Sequence, residues 1–333
     1  MKTGVLLSVI MAVIVVGIVV IAVMLPKPTK NTVENYDENQ LGPIDLIVTW
    51  VCPDPVNDAL RDYYSGKPSL TNSSRVKSRE ELLCLFRSID MFAPWINHVY
   101  LVSVTGTPDW LDLTNSRVTV VEHKDFFEDP SVLPTFNSQS IESQLHKIPG
   151  LSERFIYCND DMFFAAPVTP SDFFDSMGRA KVFRGRIVLN LGRKNDYIQA
   201  WINTKRLMKT RGIYASHHLK HQAIPLRKST CFSAEREYRE AFNKNASSRF
   251  RNNNLFFIHG IIAYYGLKQG DFVIGKISEE FVLWEKPSHH KKLRQIRKGN
   301  TKLLCVNNLD GTNDQIWQDF WRNFYYQKSS FER

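Results

Sequence analysis

The sequence predicts an α/β protein with a Rossmann-like mixed sheet that carries helices on both faces. Four short apolar runs rich in β-branched residues are typical of buried strands, at residues 44–50, 98–104, 117–121 and 154–158. Helical patterns lie between or after them, at residues 80–92, 138–147, 234–243 and 314–326. Strands that alternate with helices indicate parallel βαβ units, whose ligands bind beyond the carboxyl ends of the strands.

The composition indicates a folded protein, and its positive excess permits an anionic partner without choosing between nucleic acid, lipid headgroups and a phosphorylated substrate. Of 333 residues, 43% are hydrophobic and 23% charged, which excludes a disordered chain. The net charge is +9, and residues 176–229 contain 13 Lys or Arg against one acid, Asp196. Five cysteines are too few for a disulfide scaffold, and none has CxxC spacing, so the sequence does not predict a zinc site.

The predicted organisation is a short tail at residues 1–4, a transmembrane helix at 5–25, a stem at 26–41 and one catalytic domain at 42–333. The apolar run at 5–25 has 21 uncharged residues, enough to cross a bilayer. The predicted localisation is therefore a single-pass type II membrane protein, facing the Golgi lumen if eukaryotic and in the inner membrane if bacterial. Asn72 and Asn245 begin glycosylation sequons.

The sharpest local signal for chemistry is Asn159-Asp160-Asp161, which directly follows an apolar run. Adjacent acids at the carboxyl end of a strand could hold a hard cation, which would bridge a pyrophosphate. The alternative is a solvated turn, because this sequence also suits an Asx turn. Asp45 within the first apolar run needs a partner or a ligand, and Trp50 at its end could stack on a base or a sugar or simply pack.

Three histidines, His217, His218 and His221, form a second cluster. His218 and His221 would share a face of a helix at i, i+3, which permits metal binding. With many cations and no acid nearby, a phosphate-facing or general-base histidine is favoured over a metal ligand. A plain surface cluster is the alternative.

Several segments together resemble the Stealth proteins, which include the catalytic subunit of N-acetylglucosamine-1-phosphotransferase and bacterial capsule sugar-phosphate transferases. The resemblance rests on IDLIVTW, REELLCLFRSIDMFAPWINHVYLVS, LPTFNSQSIESQLHKIPGLSERFIYCNDDMFF, SHHLKHQAIP, FRNNNLFFIHGIIAYY and KLLCVNN. It implies transfer of a sugar-1-phosphate, N-acetylglucosamine-1-phosphate or a related hexose phosphate, from a UDP-sugar to a glycan hydroxyl, with release of UMP. It also implies a nucleotide-sugar-transferase type of Rossmann-like fold and Mg²⁺ or Mn²⁺ as cofactor.

The resemblance also implies roles for individual residues. Asp160 and Asp161 would hold the metal, with Asp161 catalytic, and His218 would take the acceptor proton, with Asp45 as the rival base. Arg87 and Arg251 would face the phosphates. The remaining matched residues would bind substrate, and these are Trp50, Arg75, His123, Asn159, His221 and Asn307.

Three departures from the family pattern leave alternatives open. Cys52-Pro53-Asp54 replaces the usual Asn-Gly after the first strand, Asn308 replaces an acid, and Asn252 stands where an acid usually follows the arginine. A metal-dependent glycosyltransferase and an inactive glycan-binding paralogue are the alternatives. The expected partners are a nucleotide sugar, a glycan or glycoprotein acceptor and the membrane. Nucleic acid is not expected, and a homodimer is left open.

Overall fold

Twelve strands and ten helices occur in the computed structural model, which describes residues 41–52, 54–66, 80–104, 106–187, 195–283, 289–307 and 314–333. The strands are β1 (Ile44–Thr49), β2 (Val99–Val102), β3 (Val118–Val121), β4 (Arg154–Asn159), β5 (Met162–Phe164), β6 (Ala180–Val182), β7 (Arg184–Ile187), β8 (His217–Leu219), β9 (Ile224–Arg227), β10 (Phe272–Ile274), β11 (Glu279–Leu283) and β12 (Leu303–Asn307). The helices are α1 (Pro55–Ser65), α2 (Glu81–Phe92), α3 (Ser138–Glu142), α4 (Pro170–Phe173), α5 (Asp196–Thr210), α6 (Lys228–Glu237), α7 (Arg239–Ala246), α8 (Ile258–Gln269), α9 (His289–Arg297) and α10 (Asp314–Phe324).

The main sheet has the strand order β3-β2-β1-β4-β9. The first four strands are parallel and β9 runs antiparallel at the edge. Leu46, Ile47 and Val48 in the central strand β1 are fully buried, as expected for a parallel strand covered on both sides. The predicted mixed α/β architecture and its four strands are therefore confirmed.

A second sheet places the end of the chain beside the first half. Its order is β11-β12-β5, with β12 parallel to β11 and antiparallel to β5. In this register Cys305 of β12 lies opposite Met162 of β5. The backbone N–H of Val306 donates to the carbonyl oxygen of Asp161 at 3.0 Å. Strand β12 is therefore fixed against the turn that carries the two acids.

The helices follow the sequence prediction in part. Helix α2 has Leu82, Leu85, Phe86 and Ile89 buried, so its apolar face packs as predicted. The helix predicted at 138–147 instead divides into the short α3 and a 3-10 turn at Leu145–Lys147. The helix predicted at 234–243 spans parts of α6 and α7, which break at Tyr238.

The histidine cluster corrects another expectation, because His217–Leu219 form strand β8 rather than a helix. Strand β8 pairs antiparallel with β7, and the ring of His218 packs over Gly185. A Cβ atom at Gly185 would lie 2.3 Å from Cε1 of His218, so only glycine leaves room for the ring. His218 and His221 therefore do not share a helix face.

The predicted single-pass membrane localisation is corrected. Across the described part of residues 41–333, none of the helices combines the length and the apolar character needed to cross a bilayer. The tail, the apolar segment at 5–25 and the stem up to residue 40 lie outside the described residues.

The predicted glycosylation site Asn245 lies inside the fold. The Asn245 side chain is fully buried. Its amide donates to the carbonyl oxygens of Gln139 and Phe256, and its oxygen accepts from the N–H of Phe256 at 3.0 Å. A glycan needs a solvent-facing amide nitrogen, so this asparagine is structural. Asn72 lies outside the described residues.

Candidate functional site

The carboxyl edge of the main sheet carries a compact polar network. Strands β1 and β4 are parallel neighbours in which Thr49 pairs with Asn159, so both end at this edge. The Tyr157 hydroxyl donates to Oδ1 of Asn159 at 2.5 Å, and it lies 3.2 Å from the hydroxyl of Thr49. Asn159 therefore lies where a parallel sheet binds its ligand, as the sequence predicted.

Asp161, in the turn between β4 and β5, is the centre of the site. Its Oδ2 accepts a hydrogen bond from Nδ2 of Asn307 at 3.3 Å and lies 3.9 Å from Nε2 of His221. Cys305 contributes a sulfur atom to the same group. Oδ1 of Asp161 is buried and accepts no hydrogen bond from any residue that the structure describes. The structure thus brings together Asp161, His221 and Asn307, all of which the sequence singled out.

Asp160 lies in the same turn but has different neighbours. Burial, the charge of Asp161 and the charge of Glu81 at the start of α2 raise the pKa of Asp160 to about 8. The negative charge of Asp161 also acts on the pKa of His221, where it stabilises the protonated form. Burial alone would lower the pKa of His221, but the carboxylate of Asp161 outweighs it and raises that pKa. The turn therefore concentrates negative charge that a cation would balance.

Glu142, at the end of α3, is a site residue that sequence reasoning missed. Its Oε1 lies 3.3 Å from the Tyr157 hydroxyl oxygen, and its Oε2 lies 3.6 Å from Nδ1 of His259. Burial raises the pKa of Glu142 to about 7, although the positive charges of Arg251 and His221 oppose the shift. A carboxyl group that titrates near neutrality can take or give a proton at physiological pH. The signal was an acid in a serine-rich stretch, which resembles an ordinary solvated helix start.

Arg251 faces the same region from the loop before α8. Its Nη2 donates to the hydroxyl of Ser138 at 2.6 Å, at the first residue of α3. The guanidinium is exposed and influences the pKa values of both Glu142 and His221. Arg251 is therefore placed to meet an anionic ligand at this edge, as the resemblance implied.

Asp45 lies at the opposite end of the parallel strands, near the amino end of β1. It is the second residue of β1 and is buried, about 13 Å from Thr49 at about 3.3 Å per residue. Its two oxygens accept hydrogen bonds from Nδ2 of Asn97 and from the N–H of Ser152, both at 2.8 Å. Asp45 thus ties two loops to the start of the sheet, and its position does not support a role as base.

Arg87 and His218 are likewise held by other parts of the protein. Arg87 makes two hydrogen bonds to the carboxylate of Glu332, at 2.9 and 2.8 Å, and donates to the carbonyl oxygen of Tyr325. Nδ1 of His218 lies 2.7 Å from the carbonyl oxygen of Leu219, and Nε2 accepts from the N–H of Arg186 at 3.0 Å. Both ring nitrogens of His218 are hydrogen-bonded to the backbone, so neither is available to take the proton of an acceptor hydroxyl.

Two further predicted residues follow strands of the same sheet. His123 comes directly after Glu122 at the end of β3; burial lowers its pKa to about 4, and its Nδ1 has no hydrogen-bond partner among the described residues. Trp50 follows β1 and is half-buried. Its backbone N–H donates to the carbonyl oxygen of Val102 at 3.0 Å. Both lie on the ligand-binding edge. Arg75 and Asn308 lie outside the described residues.

The donor set around Asp161 fits a divalent cation. A buried carboxylate oxygen that has no partner in the described segments lies near an imidazole and a thiol, and all three groups can serve as metal ligands. The side-chain amide of Asn307 holds the carboxylate in place, as partners of metal ligands commonly do. When bound, such a cation would supply charge stabilisation for a pyrophosphate.

The fold defines a class: an α/β protein with a Rossmann-like sheet, whose carboxyl edge carries an acidic turn close to His221 and Arg251. Residues 75–182 match the family description "Stealth protein CR2, conserved region 2". The chain therefore contains a conserved region of the Stealth family.

Curated relatives agree with this assignment. The chain is 34% identical to "Exopolysaccharide phosphotransferase SCO6023" of Streptomyces coelicolor over 87% of its length and 52% of that protein. It is 37% identical to "Exopolysaccharide phosphotransferase CpsY" of Mycobacterium tuberculosis over 68% of its length and 44% of that protein. The chain therefore spans about half the length of these relatives.

Solved structures show a more distant likeness. A galactosyltransferase LgtC complex with donor and acceptor sugar analogs matches with a TM-score of 0.44 at 10% identity, over 85% of this chain and 95% of that one. A structure titled as the bifunctional glycosyltransferase WbbM matches with a TM-score of 0.43 at 9% identity, over 90% of this chain and 51% of that one.

Proposed function

We propose that the protein transfers a sugar-1-phosphate from a nucleotide sugar to a hydroxyl of a glycan. The observation that carries the proposal is the Asp161 carboxylate, which lies beside His221 and Asn307 at the carboxyl edge of a Rossmann-like sheet. One of its oxygens is buried and has no hydrogen-bond partner among the described residues. The names of the relatives, which refer to exopolysaccharide phosphotransferases, support the same reaction class. The resemblance to the Stealth family favours a UDP-sugar as the donor.

Donor binding in this proposal uses opposite charges on the two sides of the pyrophosphate. Asp161 would hold a divalent cation, Mg²⁺ or Mn²⁺ by the family resemblance, and Arg251 would contact phosphate oxygens directly. The guanidinium is suited to this because it offers paired donors to phosphate. Trp50 follows β1 and His123 follows β3, the strands on either side of β2, and both residues would contact the nucleoside.

Glu142 is the proposed general base. The acceptor hydroxyl loses its proton to the Glu142 carboxylate while its oxygen forms a bond to the phosphorus that carries the sugar. The bond from that phosphorus to the bridging oxygen breaks, and the nucleoside monophosphate leaves with the electron pair. Arg251 would stabilise the charge that develops on the phosphoryl oxygens. Glu142 takes this role from His218, whose nitrogens are both bonded to backbone.

A glycosyltransferase reaction is the second candidate, because the same donor and cation serve attack on the anomeric carbon. The products separate the two reactions. Phosphoryl transfer releases UMP and makes a phosphodiester, whereas glycosyl transfer releases UDP and makes a glycosidic bond.

The test is incubation of the full chain with a panel of UDP-sugars, glycan acceptors and Mg²⁺ or Mn²⁺, with nucleotide products separated by chromatography. We expect acceptor-dependent UMP release that Glu142→Gln abolishes. UDP as the main product would favour the glycosyltransferase. Donor binding without any turnover across the panel would favour the inactive paralogue.

A further inference from the structure

Two aromatic side chains, the Tyr197–Phe257 pair, lie beside the proposed general base. Tyr197 is in the first turn of α5 and Phe257 immediately precedes α8. Their ring centroids are 5.7 Å apart and their planes meet at 81°. The ring of Phe257 lies 6.1 Å from that of His259, whose Nδ1 is 3.6 Å from Oε2 of Glu142. A chain of direct neighbours therefore links the pair to the carboxylate that would take the acceptor proton.

The Tyr197–Phe257 pair is held in place by the protein itself. Tyr197 and Trp201 are four residues apart and share one face of α5. Trp201 is fully buried, and Phe257 stacks on it with centroids 4.4 Å apart and 26° between the planes. The backbone N–H of Phe257 donates to the hydroxyl of Thr204, also on α5, at 2.8 Å. The rings are therefore in position before a ligand arrives, which lowers the cost of ordering them on binding.

Part of the Tyr197–Phe257 pair faces solvent. Tyr197 is 39% exposed and Phe257 is half-buried. Burial raises the pKa of Tyr197, and the negative charge of Glu142 adds to this shift. An exposed aromatic ring on its own is an ordinary surface feature. This pair differs because it packs on a buried tryptophan and lies within the electrostatic reach of a titrating carboxyl group.

We propose that Tyr197 and Phe257 form the acceptor subsite, in which a pyranose ring of the glycan packs against the pair and presents its hydroxyl to Glu142. The inference rests on the proposed function and deepens it. The face of an aromatic ring is electronegative, and the C–H hydrogens on the face of a pyranose carry a small positive charge, so the two attract. Binding sites for small ligands commonly join aromatic side chains to a few polar groups.

The position beside the base favours the acceptor over the donor nucleoside. A general base must lie within hydrogen-bond reach of the hydroxyl that it deprotonates, so the sugar that carries this hydroxyl meets the neighbours of Glu142. The nucleoside is assigned instead to Trp50 and His123, which follow β1 and β3. A serine or a lipid hydroxyl has no pyranose face to offer to the two rings. The acceptor group is therefore a sugar unit of the glycan.

Binding is tested first without turnover. The probes are the methyl glycosides of glucose, galactose, mannose and N-acetylglucosamine, each added to the full chain and observed by saturation-transfer NMR. We expect at least one glycoside to receive saturation mainly at its ring C–H hydrogens. Tyr197→Ala should weaken that signal by about fivefold, the size of one lost aromatic contact, whereas Tyr197→Phe keeps the ring and most of the signal. Absence of transfer from the wild-type protein to every glycoside would overturn the inference.

The kinetic test uses UDP-N-acetylglucosamine with the glycoside that binds. Tyr197→Ala should raise the acceptor KM by about tenfold and change kcat and the donor Kd by less than about threefold. Tyr214→Ala is the matched control, because Tyr214 is exposed and follows the far end of α5, a helix of 15 residues or about 22 Å. Its acceptor KM should equal that of the wild type. Phe257→Leu keeps an apolar side chain but loses the ring, and it is the second variant if Tyr197→Ala does not fold.

An unchanged acceptor KM in Tyr197→Ala, or an equal rise in Tyr214→Ala, would contradict the acceptor subsite. So would a rise confined to the donor Kd, which would place the sugar of the donor on the pair instead. UMP release with an unchanged acceptor KM in Tyr197→Ala removes the subsite but leaves the proposed function. Glycoside binding that depends on Tyr197, without any UMP release, removes the function but leaves the sugar-binding site.

Discussion

Oε2 of Glu142 lies 3.6 Å from Nδ1 of His259, and both side chains are buried. Burial moves the two pKa values in opposite directions, raising that of Glu142 to about 7 and lowering that of His259 to about 3. Each shift favours the neutral form. Glu142 is therefore the member of the pair that exchanges a proton near neutral pH, and His259 supplies an uncharged wall behind it.

Replacement of Glu142 by glutamine should remove the base and keep the shape. We expect kcat for sugar-phosphate transfer to fall by about 10²–10⁴, since that is the usual contribution of a positioned base. Donor affinity, measured by calorimetry, should stay within about threefold. Glu153→Gln is the control, because Glu153 bonds Arg227 and Ser229 before the start of β4, away from the ligand edge. Unchanged kcat in Glu142→Gln would contradict the role.

Asp161→Asn should weaken cation-dependent donor binding by at least about tenfold. The substitution keeps the volume of the side chain but removes the charge from a carboxylate with a buried oxygen that has no hydrogen-bond partner among the described residues. The measurement is donor titration with and without divalent cation. Asp112→Asn serves as control, because Asp112 is an acid bonded to Thr114 in an exposed turn. Equal donor affinity in wild type and Asp161→Asn would argue against a cation at this position.

Substitution of Arg87 should lower the free energy of unfolding, whereas substitution of Arg251 should lower the transfer rate. Arg87→Met breaks the paired hydrogen bonds to Glu332 and should lower the free energy of unfolding by about 2 kcal/mol, because Glu332 stays largely buried. Its transfer rate per folded molecule should be normal. Arg251→Met should have nearly normal stability and a reduced rate. Urea unfolding and transfer assays on both variants check this, and a slow but stable Arg87→Met would restore the phosphate role implied by the resemblance.

His123 should make the protein less stable in mild acid. Its pKa is lowered from 6.5 to about 4 by burial, so the unfolded chain binds the proton first. The stability that neutral, buried His123 contributes is complete above pH 6.5 and is lost as the pH falls toward 4. At pH 5 the loss is about 2 kcal/mol. In urea unfolding at pH 7.5 and pH 5, His123→Phe should show a pH difference smaller by that amount, and an identical difference would contradict it.

Asn245 should carry no glycan in a secretory expression host. Its amide is buried and bonded to Gln139 and Phe256. Mass spectrometry of the peptide containing residue 245 checks its modification. Asn245→Asp should lower the free energy of unfolding by about 1–3 kcal/mol, because it leaves two carbonyl oxygens without their donor. A glycosylated Asn245 in the folded protein would contradict the buried placement.

The sequence predicted the central sheet and its acidic turn because both are local signals. Apolar runs mark β1 and β4, and Asn159 to Asp161 follow β4 directly. The position of Asp45 could not be predicted, because its partners Asn97 and Ser152 come from loops that meet only in the fold. The sequence indicated that the Asp45 carboxylate needs a partner. It did not indicate whether a ligand or the protein itself would provide that partner.

The histidines and Glu142 show a second limit. His218 was chosen as a base from its residue type, but strand β8 places its ring over Gly185 and bonds both nitrogens to backbone. Glu142 has the weaker sequence signal, but its surroundings change its pKa strongly. That pKa depends on burial beneath α8 and on the hydroxyl of Tyr157. Such burial depends on contacts among segments more than 100 residues apart.

Strand β12 delivers Cys305 and Asn307 to a turn that was synthesised about 140 residues earlier. A growing polypeptide that has passed Asp161 on the ribosome still lacks Cys305 and Asn307, so the surroundings of the acidic turn are completed only when β12 has been made. The site around Asp161 is therefore complete only after β12 has paired with β5.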